Sequence, residues 1–557
     1  MIPAFPIKNR LSSSALVLIL LSGFSPLANA AKPNNGMVVA AHPVAAKAGI
    51  EILNKGGNAF DAAAATALTL GVVEPGSSGL GGGGFFLIYI AKEDRYVMLD
   101  ARETSPKLAG SGEVYQTRSS IDGPQSAGVP GLAAGVDRLV SKYGKLKRSD
   151  VTAPAIDAAS NGFKVSSRLA GMIKWRGKAF NDAANTLFQK SEGAIIKQLV
   201  LADTLKRFAK GGANEFYRGE TAGKLVADMQ RDGGLIRLED MTAYKVIERE
   251  PVQFKHGDYQ FISAALPSSG GMTLAHVFGQ LKDDNLKSLS KTNRAHLLIE
   301  TMKRAYRDRN EHLGDSDFVS IPKDYLDSKR LKKLRDSILM DSATTSKDLT
   351  GFAEPMGASV DTTHFSIIDR EGNMVSATLS INYGFGSAYV SPSTGILLND
   401  EMDDFATQPG KPNAYGLVQG KANAVSPGKR MLSSMTPTVV IGPDRTLIVG
   451  TPGGSRIISM VLLVANGFMM NESKPADWVD SPRFHHQFLP DVVQHETGAF
   501  TAEESKELTK RGHQLKQMGR NYGNMHAIML DRKTGKLTGI ADQRGEGKSI
   551  STNRRMK

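Results

Sequence analysis

Cysteine is absent from all 557 residues. That absence excludes disulfides, thiolate metal sites, a cysteine nucleophile and a lipid-modified cysteine at a signal cleavage site, so stability must come from core packing and interfaces. Long apolar runs are scarce as well. The one candidate, Ala15–Leu21, is too short to cross a bilayer comfortably, and no second one follows. There is no internal repeat and no low-complexity tract. The glycines 81–84 are not followed by Gly-Lys-Ser/Thr, which excludes a Walker phosphate loop. A strand-like run, Phe85–Ile90, follows them instead of a helix, so a close backbone approach fits better than a dinucleotide fingerprint.

Acidic residues are outnumbered by basic ones, 56 against 69, for a formal net charge of +13. The basic residues are scattered, and the densest group, residues 329–335, reads as the wet face of a helix. Without a recognition-helix pattern or aromatic–basic interleaving, nucleic acid is not expected as a partner. Lys8 and Arg10 precede the apolar run, and Ala28 and Ala30 supply small residues after it. This is the pattern of a secretory signal. It predicts a signal peptide over 1–30, cleavage after Ala30, a periplasmic destination and no membrane anchor afterwards.

Past a Pro/Asn/Gly linker, Met37–Ala41 reads as a strand and Pro43–Leu53 as a helix, with proline near the start where its missing N–H costs nothing. Gly56 and Gly57 stop that helix, and Asn58–Asp61 opens an alanine-rich one through about Leu70. Residues 145–345 read as mainly helical from their 3.6 periodicity. The stretch 267–271 reads as a turn leading into another helix, and 342–360 as a mobile linker delivering the chain to Thr362. From there, short strands and Gly/Pro turns dominate. Residues 362–369, Thr-Thr-His-Phe-Ser-Ile-Ile-Asp, start a strand-like run. A turn at 369–373 and a second alternating run, 374–382, follow. A threonine hydroxyl becomes a competent nucleophile when a base sits beside it, and its own free α-amine is one solution. An internal threonine gains that amine only if the bond before it is cut.

Several further strings occur in a fixed order: Glu74-Pro75, Gly81–Phe85, Asp100–Glu103, then Leu398–Phe405 (Leu-Asn-Asp-Glu-Met-Asp-Asp-Phe), Ser433-Ser434 and Pro452–Arg456. Together with 362–369 they resemble the γ-glutamyltransferase (glutathione hydrolase) family of N-terminal nucleophile hydrolases, from about Ala41 to about Arg544. The resemblance implies an αββα sandwich of two antiparallel sheets flanked by helices. It also implies autocatalytic cleavage between Asp361 and Thr362. The products would be a large subunit, 31–361, and a small catalytic one, 362–557, held together as a heterodimer by one core.

The same resemblance assigns roles. Thr362 is the nucleophile and, through its amine, the general base. Ser380 stands where the family often has a threonine that hydrogen-bonds the nucleophile. Gly453 and Gly454 form the oxyanion hole. Arg102 clamps the substrate α-carboxylate with help from Ser433 and Ser434, while Glu401 and Asp404 face its ammonium. Glu401 departs from the glutamine of some bacterial members. Asn382 is an orienting polar group, two residues from Ser380 and so on the same face of an extended strand. Residues 409–417 resemble a lid loop with Tyr415 as its capping aromatic. The implied substrates are glutathione and other γ-glutamyl compounds, with water, amino acids or peptides as acceptors. No cofactor or metal is called for, and His364, His485 and His486 show no convincing ligand spacing. Two alternatives stand beside this reading: a cephalosporin (glutaryl) acylase of the same fold, and an unprocessed, inactive homologue acting as a binding protein.

Overall fold

The computed structural model describes residues 31–349, 362–411, 413, 417–471 and 474–553. Asp361, Tyr415 and the signal segment lie outside them. Two antiparallel sheets stack face to face. In the seven-stranded sheet the order is Lys548–Ser551, Met37–Ala40, Thr363–Ile368, Met374–Ser380, Gly83–Ile90, Arg95–Ala101 and Ile247–Arg249. In the six-stranded sheet it is Leu537–Ala541, His526–Asp531, Arg445–Gly450, Thr438–Ile441, Tyr259–Ser263 and Val252–His256. The chain on either side of Thr362 contributes strands to both sheets.

Strand alternation sorts side chains between layers. Val38, Phe86 and Ile88 point to the helices Pro43–Asn54 and Ala59–Val73 on one outer face. Their neighbours Met37, Val39, Leu87 and Tyr89 meet Ile262, Val439, Ile448 and Ile528 of the other sheet. Beyond that sheet, the helices Gly270–Gln280, Lys291–His312 and Ile457–Met470 pack on Phe261, Val440, Leu447 and Val449. The result is the αββα layering that the sequence leads one to expect. Pro43 occupies the first turn of its helix, and Asn58 with Asp61 forms a capping box for the next, satisfying amides that the helix itself leaves orphaned.

Two expectations change and one holds with additions. The alanine-rich helix runs to Val73, past Leu70. The stretch 145–345 is mainly helical, as read, and also contains the strand Ile247–Arg249 and a hairpin, Val252–His256 with Tyr259–Ser263, turning at Gly257 (φ +55°). These short strands are stabilised by pairing with distant partners, which local periodicity does not report. The start of the 342–360 segment is docked rather than loose. Ser346 Oγ donates to the Phe488 carbonyl at 2.6 Å, and the Ser346 amide donates to Asp491 at 2.7 Å. Residues 350–361 lie outside the described residues.

The pairing of Thr363–Ile368 with Met374–Ser380 sets a polar ladder on the inter-sheet face. His364 lies opposite Thr378, and Ser366 opposite Ser376. His364 Nδ1 meets Thr378 Oγ1 at 2.9 Å, and Ser366 Oγ donates to the His526 carbonyl at 3.0 Å. The His526 ring is fully buried, and among the described residues neither nitrogen has a hydrogen-bond partner.

Burial pushes the His526 pKa down to about 3, against about 6.5 in the unfolded chain. The folded state therefore keeps this ring neutral while the unfolded chain takes up a proton. Its contribution to stability is full above pH 6.5 and is lost as pH falls toward 3, at about 1.4 kcal/mol per pH unit. His526→Asn should accordingly flatten the pH dependence of unfolding free energy between pH 6 and 4. Urea titrations at several pH values test this, and parallel slopes for variant and unaltered protein would refute it.

Candidate active site

The site forms where the end of Met374–Ser380 meets the residue preceding Thr363–Ile368. Leu379 pairs with Thr363, so the next step of the register brings Ser380 opposite Thr362. Their hydroxyl oxygens are 3.3 Å apart, and Thr362 is buried. Ser380 Oγ also accepts the Asn382 amide at 2.8 Å, which fixes its orientation. Thr363, on the other face, donates its hydroxyl to Glu74 at 2.7 Å. The regular strand thus begins at Thr363, one residue later than the sequence reading placed it.

The glycines 81–84 make this junction possible. A Cβ on Gly82 would sit 2.2 Å from the Ser380 carbonyl oxygen, and one on Gly81 2.0 Å from that of Leu397. Only glycine allows backbone to pass that close, which is the role read from the sequence.

Asn382 departs from its expected setting. The strand ends at Ser380, and Asn382 adopts φ +72°, so strand alternation does not align the two side chains. Its side-chain amide instead donates to the Asp400 carbonyl at 3.1 Å, although the residue still lines the pocket.

Arg102 is buried, and its guanidinium is engaged by acids. Glu401 lies 2.5 Å from Nη1, Asp404 pairs with Nη2, and Glu103 is 3.5 Å away. The opposed charges foreseen as separate halves of a binding site are thus closed on each other. Three carboxylates around one guanidinium, away from water, cannot all ionise cheaply. Burial raises the pKa of Glu401 and of Glu103, with Arg102 pulling each back.

Ser433 Oγ accepts the Met435 amide at 3.1 Å, and Ser434 Oγ accepts from Arg309 Nη2 at 3.0 Å. Each hydroxyl hydrogen is left to donate elsewhere, and both serines line the same pocket as Thr362, Ser380, Arg102 and Asp404. Gly453 (φ +153°) and Gly454 (φ +54°) lead into the helix Ile457–Met470, so the positive end of its dipole faces this region. Among the described residues no acceptor takes the amide of either glycine, and Gly454 lines the pocket. Two glycine amides at a helix start can stabilise a developing oxyanion.

Tyr415, expected as a lid aromatic, and Asp361, expected at the cleavage site, lie outside the described residues. Leu417, at the end of the stretch expected to be a lid, lines the pocket. The three histidines have other partners: His364 with Thr378 and Ser366, His485 with Ser459 and Gln487, and His486 with Asp491.

Sequence reasoning missed Arg309, Glu74 and Asn399. Arg309 lines the pocket and is 1% exposed, with Nε on Ser269 at 2.9 Å. Nothing local distinguishes it from Arg304 or Arg307 on the same helix. Asn399 bridges the turn before Glu401 to the glycine run, donating to the carbonyls of Gly81 at 2.6 Å and Gly128 at 2.8 Å. Its place within the string 398–405 was the one available signal.

An αββα sandwich with a buried threonine at the head of a central strand, beside paired glycine amides, defines an N-terminal nucleophile hydrolase. The gamma-glutamyltranspeptidase family model matches residues 45–552. The chain belongs to that family. It is 39% identical over 531 residues to the glutathione hydrolase proenzyme of Pseudomonas sp. (strain A14), covering 91% of this chain and 92% of that protein. It is 36% identical to the proenzyme of Escherichia coli (strain K12), covering 92% and 91%. Among solved structures, cephalosporin acylase from Bacillus halodurans superposes with a TM-score of 0.82 at 25% identity, covering 98% of each chain. Gamma-glutamyltranspeptidase from Helicobacter pylori superposes with 0.53 at 34% identity, covering 61% of this chain and 95% of that one.

Arg309→Met should remove a charge-assisted hydrogen bond from Ser434, a loss of about 1.5–3 kcal/mol, or about 10- to 150-fold in kcat/KM for a γ-glutamyl anilide. Steady-state kinetics on folded, processed variant check this. Unchanged kcat/KM would make Arg309 a purely structural residue.

Proposed function

We propose that the chain is exported through its signal segment and matures by cutting itself before Thr362. The mature enzyme then transfers γ-glutamyl groups from glutathione and related compounds to water, amino acids or peptides. The observation that carries this reading is the convergence of Thr362, Ser380, Arg102, Asp404, Ser433, Ser434 and Gly454 on one pocket. Family membership and the glutathione hydrolase relatives support the enzyme class. The destination rests on the sequence of residues 1–30 alone.

In the precursor, the Thr362 hydroxyl attacks the preceding carbonyl. The peptide C–N bond breaks, the nitrogen gains a proton, and an ester forms that water hydrolyses. Residues 31–361 and 362–557 remain associated, because ladders join them at three places in the seven-stranded sheet: Lys548–Ser551 on Met37–Ala40, Met37–Ala40 on Thr363–Ile368, and Met374–Ser380 on Gly83–Ile90. The exposed α-amine, with a reference pKa of about 7.7–8.0, takes the hydroxyl proton as Thr362 attacks the γ-carbonyl. The Gly453 and Gly454 amides hold the oxyanion. The leaving amine departs with a proton, and water or an amine then attacks the γ-glutamyl ester.

The substrate's own zwitterion suits the closed ion pair. Its α-carboxylate replaces Glu401 and Asp404 at the Arg102 guanidinium, while its ammonium takes their carboxylates. Binding then gives the guanidinium a carboxylate and the acids an ammonium, without leaving a buried charge unpaired, which would cost several kcal/mol. The fold-level match to cephalosporin acylase keeps a glutaryl donor in view. A glutaryl group has no ammonium, so it would leave buried Glu401 and half-buried Asp404 uncompensated. Comparing kcat/KM for γ-glutamyl and glutaryl anilides separates the readings, and a preference for glutaryl would overturn the one proposed.

Two outcomes are expected from variants. Thr362→Ala should remain a single uncut chain on a denaturing gel, whereas the unaltered protein should give a smaller fragment whose N-terminal residue is Thr362. Active enzyme migrating as one full-length band would sink the mechanism. Ser380→Ala should slow both maturation and turnover, by up to about tenfold, since one hydrogen bond worth about 0.5–1.5 kcal/mol is lost. Ser380→Thr should retain both rates. Cleavage half-times and kcat measured side by side decide whether this serine orients Thr362.

A further inference from the structure

Glu74 holds a carboxylate where the fold disfavours one. It closes the helix Ala59–Val73, with its amide donating to the Leu70 carbonyl at 2.8 Å, and the C-terminal end of a helix carries negative partial charge. Burial pushes the Glu74 pKa up, Arg168 and the Thr363 hydroxyl pull it back, and the Glu546 carboxylate raises it again. The side chain accepts the Thr363 hydroxyl at 2.7 Å. Thr363 is fully buried and paired with Leu379 in the central ladder, and neither it nor Glu74 lines the donor pocket. The carboxylate thus reaches the head of the catalytic strand from behind.

The Thr362 nitrogen lies one residue away, a Cα step of about 3.8 Å. In the uncut chain it is a neutral amide. A cut before Thr362 makes it an amine, positive when protonated, and so places a new charge beside Glu74. A buried carboxylate at the negative end of a helix is poorly suited to the first state and well suited to the second. The cut also removes the covalent tether on one side of Thr362, and chain ends fray unless tied down. The hydrogen bond from Thr363 to Glu74 ties the second residue of the new chain to a helix that belongs to the other segment.

We propose that Glu74 is a positioning residue of the processed enzyme, which holds the new chain's first strand through Thr363 and stabilises the ammonium form of Thr362 by its charge. This rests on the cleavage proposed above and adds how the amine that cleavage releases is held and tuned. The base works as the free amine, so activity falls as pH drops and the amine takes up a proton. A neighbouring carboxylate favours the charged form of an amine, so removing that carboxylate moves the fall to lower pH. The other charged groups are Arg168 and Glu546 on the Glu74 side, and Arg309 and Arg102, with Glu401 and Asp404, on the donor-pocket side. Glu74→Gln leaves each of these unaltered.

The test is that substitution, because a glutamine keeps an acceptor for Thr363 and loses the charge. Processed Glu74→Gln should show the acid limb of kcat/KM for γ-glutamyl p-nitroanilide about one pH unit lower, and Glu74→Asp should keep the limb where it is. Thr363→Val keeps the charge and loses the hydrogen bond. It should lower kcat by about tenfold, with the donor KM and the acid limb unchanged. Acetic anhydride labelling of the Thr362 amine across pH, read by mass spectrometry of the small fragment's N-terminal peptide, follows the same protonation without a donor, and it decides where the two readouts differ. A Glu74→Gln protein whose labelling midpoint matches the unaltered one overturns the proposal, as does one that stays uncut. Unaltered, processed enzyme that does not turn over the anilide would refute the γ-glutamyl reading instead, and the labelling midpoint would still decide the role of Glu74.

Discussion

The structure depends on the antiparallel pairing of Thr363–Ile368 with Met374–Ser380, clasped between Met37–Ala40 on one side and Gly83–Ile90 on the other. That pairing brings Thr362 opposite Ser380, places Thr363 on the opposite face against Glu74, and presses the glycine run against the end of the second strand. A one-residue slip would exchange the two faces and turn Thr362 away from Ser380. Register is held by two different layers. The apolar residues Phe365 and Ile367 fill the helix-side core, while His364, Ser366, Thr378 and Ser376 make the polar ladder between the sheets.

The same constraint explains why a cut beside Thr362 is compatible with a stable molecule. Neither flank of the chain owns a complete sheet. Strands from residues before Thr362 lie on both sides of the hairpin that follows it, so most of the core spans the two segments. The free energy of that burial does not depend on the peptide bond being intact. A cut there would give the threonine a free amine and would leave the strand ladders on both sides of it intact.

Around that fixed point the site is built from buried charge. Arg102 with its three acids, and Arg309 with its serine hydroxyls, are costly to bury unless each partner is present.

Much of this was legible in residue order. The strand starts, the helices capped at Pro43 and Asn58, the close approach at glycines 81–84, and the threonine with its serine and glycine companions all carry local signals, because alternation, capping and backbone sterics act over a few residues. Ordered motifs then tied distant segments to one family. Other features needed the tertiary structure. The hairpin 252–263 forms only because the strand Thr438–Ile441 offers it an edge. Asn382 leaves the strand because Asp400 draws its amide. Arg102 faces Glu401 and Asp404 directly, and Arg309 is the one arginine of its helix face that reaches Ser434. Each of these depends on which groups share a desolvated space, and desolvation is a property of packing that no short stretch of sequence contains.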